Sequence, residues 1–534
     1  MTMQPTFPDP IAEGIARGWR VHDGATLKEG TVLEGDVAIV GTGAGGGVTA
    51  EILTAAGLKV IMLEEGGLRS TRDFRMLESE AYPTLYQESA SRKTKDKGIN
   101  IMQGRTVGGS TVVNWTSSFR TPPSTLAHWQ EEFGLTDLTT ESLTPWWEQM
   151  ERRLNIAPWG MPPNRNNQLL ADALTKLGIA PQVIPRNVNG CYNLGYCGMG
   201  CPTNAKQSML LTTVPAALDR GAELLYHARA ERLAFAGSRV QEIVVTLMGS
   251  DGFERRRDAA RVRVRHVVLA GGAINTPALL LRSRAPDPQR LIGKRTFLHP
   301  VTISLAYFAD PVDAFAGAPQ SIYSDHFNEG GSDGMGFKLE APPIHPVLIA
   351  TTATGVGAEH AALMSRMRHA HVLIALLRDG LHPESPGGTV ELRDDGSPVL
   401  DYPLSPYVME GARRAMGVMA ELQFAVGAQL VIPFHERATP ARTLAAAKAQ
   451  IAAFTMRSPQ AKIVSAHVMG GCPMAADEAR GVTDSLGRLR HVDNVSVIDG
   501  SLFPTSVGAN PQLSIYGLAA RAATALAKAL GSRA

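Results

Sequence analysis

The stretch DVAIVGTGAGGGVTAEILTAAGLKVIMLEE, residues 36–65, constrains the fold more than any other part of the chain. DVAIV is a short apolar run of β type that ends on glycines. VTAEILTAA has helical spacing and stops at Gly57, and LKVIML reads as a second strand. Strand, helix and parallel strand within about thirty residues make the βαβ unit of dinucleotide-binding folds. Inside it, Gly41-Thr42-Gly43-Ala44-Gly45-Gly46 matches G-x-G-x-x-G. Gly41 allows the tight turn, Gly43 lets a pyrophosphate approach the backbone, and Gly46 lets helix and strand pack closely. The helix N-terminus, near Ala44, offers free N–H groups to phosphates. Glu64, followed by Glu65, ends the second strand about twenty residues on, where an acid accepts from a ribose hydroxyl. Nicotinamide and flavin dinucleotides share this fingerprint.

With 534 residues the chain exceeds one ordinary core, so two or more domains are expected. Hydrophobic residues at 44% and charged residues at 19% are a globular balance. A formal charge of +2, with no acidic tail or basic face, argues against nucleic acid as a partner. The arginine-rich run at 254–266, ERRRDAARVRVRH, alternates before turning apolar and reads as the exposed side of a hairpin. Four cysteines suit a reducing compartment and not a disulfide scaffold. The N-terminal MTMQPTFPDPIAEGIARGWR lacks the apolar centre of a secretory signal, and no apolar run is long enough to span a bilayer. A cytoplasmic, soluble protein is expected, with export or membrane association through a partner subunit left open.

Two further segments bear on the site. GRTVGGSTVVNWTSSFR, from Gly104, carries paired Gly108 and Gly109 with Ser110 and Thr111, which suits close approach to a flat ring, and Asn114 could hydrogen-bond to it. In ANPQLSIYGLAARAATALAKALG the spacing predicts a long amphipathic helix with Asn510 as N-cap, Pro511 at its first position and Gly531 as the stop. Residues 301–455 mix Pro and Gly with apolar patches and read as a separate sheet-and-helix layer.

The chain resembles the glucose–methanol–choline (GMC) oxidoreductases, FAD-dependent enzymes that oxidise alcohols. The resemblance rests on the βαβ unit, on GRTVGGSTVVN at the first family signature and on GGAINTPALLLRS (271–283) at the second. It continues in HVMGGCPM (467–474) and DGSLFPTSVGANPQLSIYGLAARAA. The second signature usually ends Ser-Gly; here Arg284 follows Ser283. The resemblance implies an α/β (α+β overall) fold, with a Rossmann-like FAD-binding domain from 31–130, 202–300 and 456–534. A discontinuous sheet-and-helix substrate domain would take 131–201 and 301–455. It implies FAD contacts from Arg105, Ala230, Asp499, Gly500, Pro511 and Gln512, beside the fingerprint residues. It also implies His467 as the base that takes the hydroxyl proton and Asn510 as the group that positions the alcohol oxygen. An unperturbed imidazole titrates near neutrality and suits that task. The helix N-terminus after Asn510 would stabilise negative charge near N1 of a reduced flavin. His299 reads as structural, and Cys472 as a buried neighbour of the flavin.

Three of the four cysteines crowd into GCYNLGYCGMGCP as Cys191, Cys197 and Cys201. A disulfide would strand one thiol, and zinc usually takes four ligands at shorter spacings. A 3Fe–4S cluster suits three thiolates with a proline after the last. The segment is similar both to the catalytic subunit of bacterial FAD-dependent glucose dehydrogenases, where the cysteines hold such a cluster, and to long-chain alcohol oxidases, where they need not. The expected function is an FAD-dependent alcohol dehydrogenase passing electrons to an external acceptor, cytochrome or quinone. The alternatives are an oxidase using O2, a sugar dehydrogenase, a nicotinamide enzyme and a non-redox lyase.

Overall fold

Val37, Ala38 and Ile39 are consecutive and apolar, so their strand is buried on both faces, as an interior parallel strand must be. In the computed structural model, which describes residues 7–330, 334–353 and 355–531, Val32–Val40 lies between Val60–Leu63 and Arg255–Leu269, parallel to both. The helix Ala44–Ala55 joins the first two strands. It stops as expected at Gly57, whose φ of +82° lets the Leu58 N–H reach back to the Leu53 carbonyl. Glu223–Tyr226 and Arg20–Asp23 extend the sheet on one side. Arg239–Met248 and Ala228–Ala236 extend it antiparallel on the other, and Val495–Val497 pairs with Arg255–Leu269. The arginine run is thus the hairpin arm expected: Arg261 and Arg263 meet Glu242 outside the core, and the apolar end of the same strand enters the sheet.

The 301–455 layer is built on Val301–Tyr307, which pairs with Ala370–Leu377 and Leu430–Pro433. Phe337–Glu340 and Ile322–Ser324 continue that sheet. Two short strands from outside the layer, Ile99–Ile101 and Ile463–Ser465, close its other edge. The register sets Val301, Ile303 and Leu305 opposite Leu376, Ile374 and Val372. Side chains two apart share a face, so one side of this pair is wholly apolar. The helix Pro406–Ala425 starts on a Ser405 cap and buries Ala412, Ala415 and Met419.

The C-terminal helix spans Gln512–Gly531, so it begins a residue later than expected, and Asn510 is not its N-cap. The Asn510 side chain instead donates from Nδ2 to Glu340 Oε2 at 3.4 Å. A tertiary partner has replaced the local one. Residues 1–6 of the N-terminal stretch and Thr354, within the 301–455 segment, lie outside the described residues. Among the described residues no helix is long and apolar enough to cross a membrane.

Candidate active site

The Ala44–Ala55 helix starts at Gly43 with no side-chain cap, so its first N–H groups stay available. Gly45 and Gly46 pack tightly: a Cβ would lie 1.8 Å from the Ile498 carbonyl oxygen on Gly45, and 1.9 Å from that of Gly41 on Gly46. The second glycine loop faces the first, since a Cβ on Gly109 would come within 2.7 Å of the Gly43 Cα. Thr42 ties the two together. Its Oγ1 accepts from the Gly108 N–H at 2.9 Å and donates to Glu64 Oε2 at 2.7 Å.

Glu64 also accepts from the N–H groups of Thr42 (3.2 Å) and Gly66 (2.9 Å). A carboxylate has about four acceptor positions, so one remains for a ligand. Burial raises the Glu64 carboxyl above the usual carboxylate range. Glu65 feels the same burial, but Arg105, with Nε at 3.2 Å, and Arg229 outweigh it and hold the carboxyl below that range.

These residues line one end of a cavity of about 750 Å³, a size typical of ligand sites. Gly46 and Gly108 lie behind its wall, while Gly41, Gly43, Ala44, Arg105, Gly109, Ser110 and Ala230 form part of it. Asp499 and Gly500 line it too, yet the Asp499 carboxylate already accepts from Gly272 N, Thr276 Oγ1, Ser501 N and Ser501 Oγ. That leaves the neighbouring backbone to meet a ligand. Asn114 and Gln512, both expected at a ring, are bonded to each other at 2.7 Å. Gln512 Nε2 is held by Ser117, Ser118 and Asn187. These side chains fix the wall around Pro511. Cys472 is buried and not part of the wall. Two facing glycine loops, an uncapped helix start and two acids suit the pyrophosphate and ribose of FAD.

His467 and Asn510 come from separate segments and share this cavity. Burial lowers the His467 imidazole to about 4, so it is neutral at physiological pH. His299 was read as structural from the sequence, but its Nδ1 lies 2.9 Å from His467 Nδ1. Glu340 was missed altogether. It is fully buried, takes Gln320 Nε2 at 2.6 Å as well as Asn510 Nδ2, and is pushed up to about 7 by burial. Among the described residues neither Glu340 Oε1 nor Asn510 Oδ1 has a hydrogen-bond partner. One signal was available: an acid two residues after a lysine in FKLE, inside an otherwise apolar segment. The far end of the cavity is lined by Val301, Ile303, Leu305, Val372, Ile374 and Leu376, the apolar face of the second sheet.

The cysteine segment does not line the cavity but packs behind its wall, where the Tyr86 hydroxyl donates to the Gly198 carbonyl at 2.6 Å. Cys191 accepts from Asn193 N at 3.4 Å, Cys197 from Arg186 Nη2 at 3.7 Å, and Cys201 pairs with the Thr203 hydroxyl at 3.5 Å. Among the described residues no three His, Cys, Asp or Glu side chains are gathered as a metal site. A 3Fe–4S ligand set is not shown: each thiol has its own local donor, while Cys191 lies close enough to Cys197 and Cys201 to feel their charge. What anchors the segment is Lys206, whose buried ammonium donates to the carbonyls of Val112, Asn114 and Cys197.

The family models for GMC oxidoreductases match residues 82–301 and 383–519. An uncharacterized GMC-type oxidoreductase of Mycobacterium tuberculosis (strain ATCC 25618 / H37Rv) is 32% identical over 507 residues, covering 94% of this chain and 77% of that protein. A long-chain-alcohol oxidase of Arabidopsis thaliana is 26% identical over 513 residues, 91% of this chain and 66% of the relative. Among solved structures, formate oxidase of Aspergillus oryzae RIB40 superposes with a TM-score of 0.71 at 14% identity, over 94% of this chain and 99% of the other. Pyridoxine 4-oxidase from Mesorbium loti gives 0.66 at 17%, over 91% and 98%. The family models together cover more than half of the chain, and the chain belongs to the GMC oxidoreductases, as an FAD-dependent oxidoreductase.

Proposed function

We propose that the chain oxidises the CH–OH group of a long apolar alcohol to the carbonyl, with O2 as the final electron acceptor. One observation carries this reading: His467 and Asn510 share a single cavity with the glycine cradle and the apolar face of the second sheet. Gly41, Gly43, Gly109 and the start of Ala44–Ala55 would hold the FAD pyrophosphate, and Glu64 and Glu65 the ribose. Bound there, FAD would supply the hydride acceptor, at N5, for the carbinol hydrogen. The N-terminus of Gln512–Gly531, beside Pro511 in the cavity wall, would favour negative charge on a bound flavin.

The protein's own work is at the hydroxyl. His467 and Asn510 would meet its oxygen, and His467, a neutral imidazole, would receive the proton that leaves it in the tautomer whose Nε2 is bare. The alkyl chain lies along Val301, Ile303, Leu305 and their partners, where each buried methylene contributes about 0.8 kcal/mol. The relatives named long-chain-alcohol oxidases support both the chain and the acceptor. No step is routed through the cysteines. Replacing Cys191, Cys197 and Cys201 together by Ser preserves the local hydrogen bonds, so FAD content and turnover should stay within about twofold; loss of electron transfer with FAD retained would restore the cluster.

The test of the reading is anaerobic bleaching of the flavin absorption by 1-decanol, followed by hydrogen peroxide formation when air is admitted. A flavin that no alcohol bleaches would end the assignment. Bleaching without oxygen consumption would replace O2 by a cytochrome or quinone.

A further inference from the structure

We infer that His299 is a positioning residue: it fixes His467 in the tautomer that carries its hydrogen on Nε2, so that His467 meets the alcohol oxygen at rest as a donor. The inference rests on the proposed alcohol chemistry for its purpose, but not for its geometry.

The argument starts from a backbone amide. Gly508 N–H donates to His299 Nε2 at 3.0 Å. An amide N–H is only a donor, so His299 Nε2 is bare. His299 is fully buried, and burial, with His467, Lys338 and Arg378 nearby, holds its imidazole well below the ordinary histidine range. It is therefore neutral, and a neutral imidazole has one hydrogen, which must be on Nδ1. That nitrogen lies 2.9 Å from His467 Nδ1. Two bare nitrogens or two N–H groups cannot share a hydrogen bond, so His299 donates and His467 Nδ1 accepts. The neutral His467 is left with its hydrogen on Nε2, the nitrogen with no hydrogen-bond partner among the described residues on a ring that lines the cavity.

The consequence concerns the proton. A bare His467 Nε2, as a base needs, requires both rings to exchange tautomer together, and the Gly508 amide would then face an N–H in place of an acceptor. His299 thus governs how much of His467 is competent to take the hydroxyl proton. In the resting state His467 anchors the oxygen, and the hydroxyl hydrogen is free to turn to Asn510 Oδ1, the buried acceptor without a partner among the described residues.

The polarity can be inverted at one position. In His299→Asp a carboxylate accepts both from Gly508 and from His467 Nδ1, which moves the hydrogen of His467 to Nδ1. In His299→Asn, of the same size, the amide accepts from Gly508 and donates to His467, and the wild-type tautomer is kept. The measurement is 15N NMR of histidine-labelled holoenzyme with oxidised FAD, with the His467 signals assigned by their loss in His467→Gln. Nε2–H in the wild type and in His299→Asn, and Nδ1–H in His299→Asp, is the expected set. Nδ1–H in the wild type overturns the inference, as does an unchanged spectrum in His299→Asp. If His299→Asp does not fold, the wild-type spectrum decides alone. Bleaching by 1-decanol is recorded on the same samples. Failure to bleach removes the alcohol reading while the tautomer stands on the spectrum, and bleaching with the wrong tautomer removes only this inference.

Discussion

His467 reaches its neighbours through a histidine, His299, that the sequence marks as ordinary, and the pair belongs to one buried hydrogen-bonded unit with Gly508. Truncating His467 to Ala leaves the glycine cradle untouched, so the variant should keep its FAD. Its reduction by alcohol should slow by about 10²–10⁴, the usual worth of a positioned acid–base group. Rapid-mixing absorbance reads this directly, and an unchanged rate removes His467 from the chemistry. Glu340 makes the second residue-scale prediction. Burial raises its carboxyl from 4.5 to about 7, with Lys338 opposing and Asp325 adding. A raised folded value means that Glu340 favours the folded state at low pH. That contribution is full below 4.5 and is lost as pH climbs to about 7. Glu340→Gln has no such loss, so it should gain on the wild type across this window, by on the order of 3 kcal/mol above it. Urea unfolding at pH 4.5 and pH 8 checks the sign; a difference between the two proteins that does not change with pH contradicts a buried, titrating Glu340. That His467 and Asn510 share a cavity was legible because both stand in local motifs. His299 and Glu340 were not, because a histidine in LHP and an acid in FKLE take their meaning from residues far away in sequence.

At the scale of elements, the glycine fingerprint was read correctly as strand, helix and strand, since each piece follows from local periodicity and stop signals. The glycines within it do different things. A Cβ on Gly45 collides with the Ile498 carbonyl, which cannot move without the sheet. On Gly43 the nearest atom is the Gly109 Cα at 3.7 Å, an ordinary contact. Gly45→Ala should therefore destabilise the fold by about 1–3 kcal/mol. Gly43→Ala should fold normally yet hold FAD more weakly, because its methyl stands where a phosphate needs the backbone. Thermal unfolding and flavin retention after gel filtration separate the two; equal stability of both variants would show that the close packing at Gly45 is relieved elsewhere. The C-terminal helix was legible in length and wrong by one residue at its start, since Asn510 is drawn to Glu340 and away from capping.

The molecule as a whole places an apolar sheet face beyond the polar machinery. Val301 to Leu305 extends over about 13 Å at the usual strand rise. Catalytic efficiency on primary alcohols should rise about fourfold per added methylene, the equivalent of about 0.8 kcal/mol, until the chain outruns that wall. A series of straight-chain alcohols in the oxygen assay tests it, and a flat or falling profile would mean that the face is only core. Sequence alone was enough for the family, the dinucleotide unit, the presence of a second layer and the expectation that His467 and Asn510 share one cavity. All of these are carried by short contiguous patterns, in which backbone geometry and ligand demand act within a few residues. Tertiary structure decided the rest: that Asp499, Asn114 and Gln512 are held by protein partners, that the cysteines turn to separate donors, and that Gly508, His299 and His467 form one chain of hydrogen bonds. Those outcomes depend on which side chains from remote segments meet in a buried place. There each polar atom must find a partner or go without, and no local pattern encodes that choice.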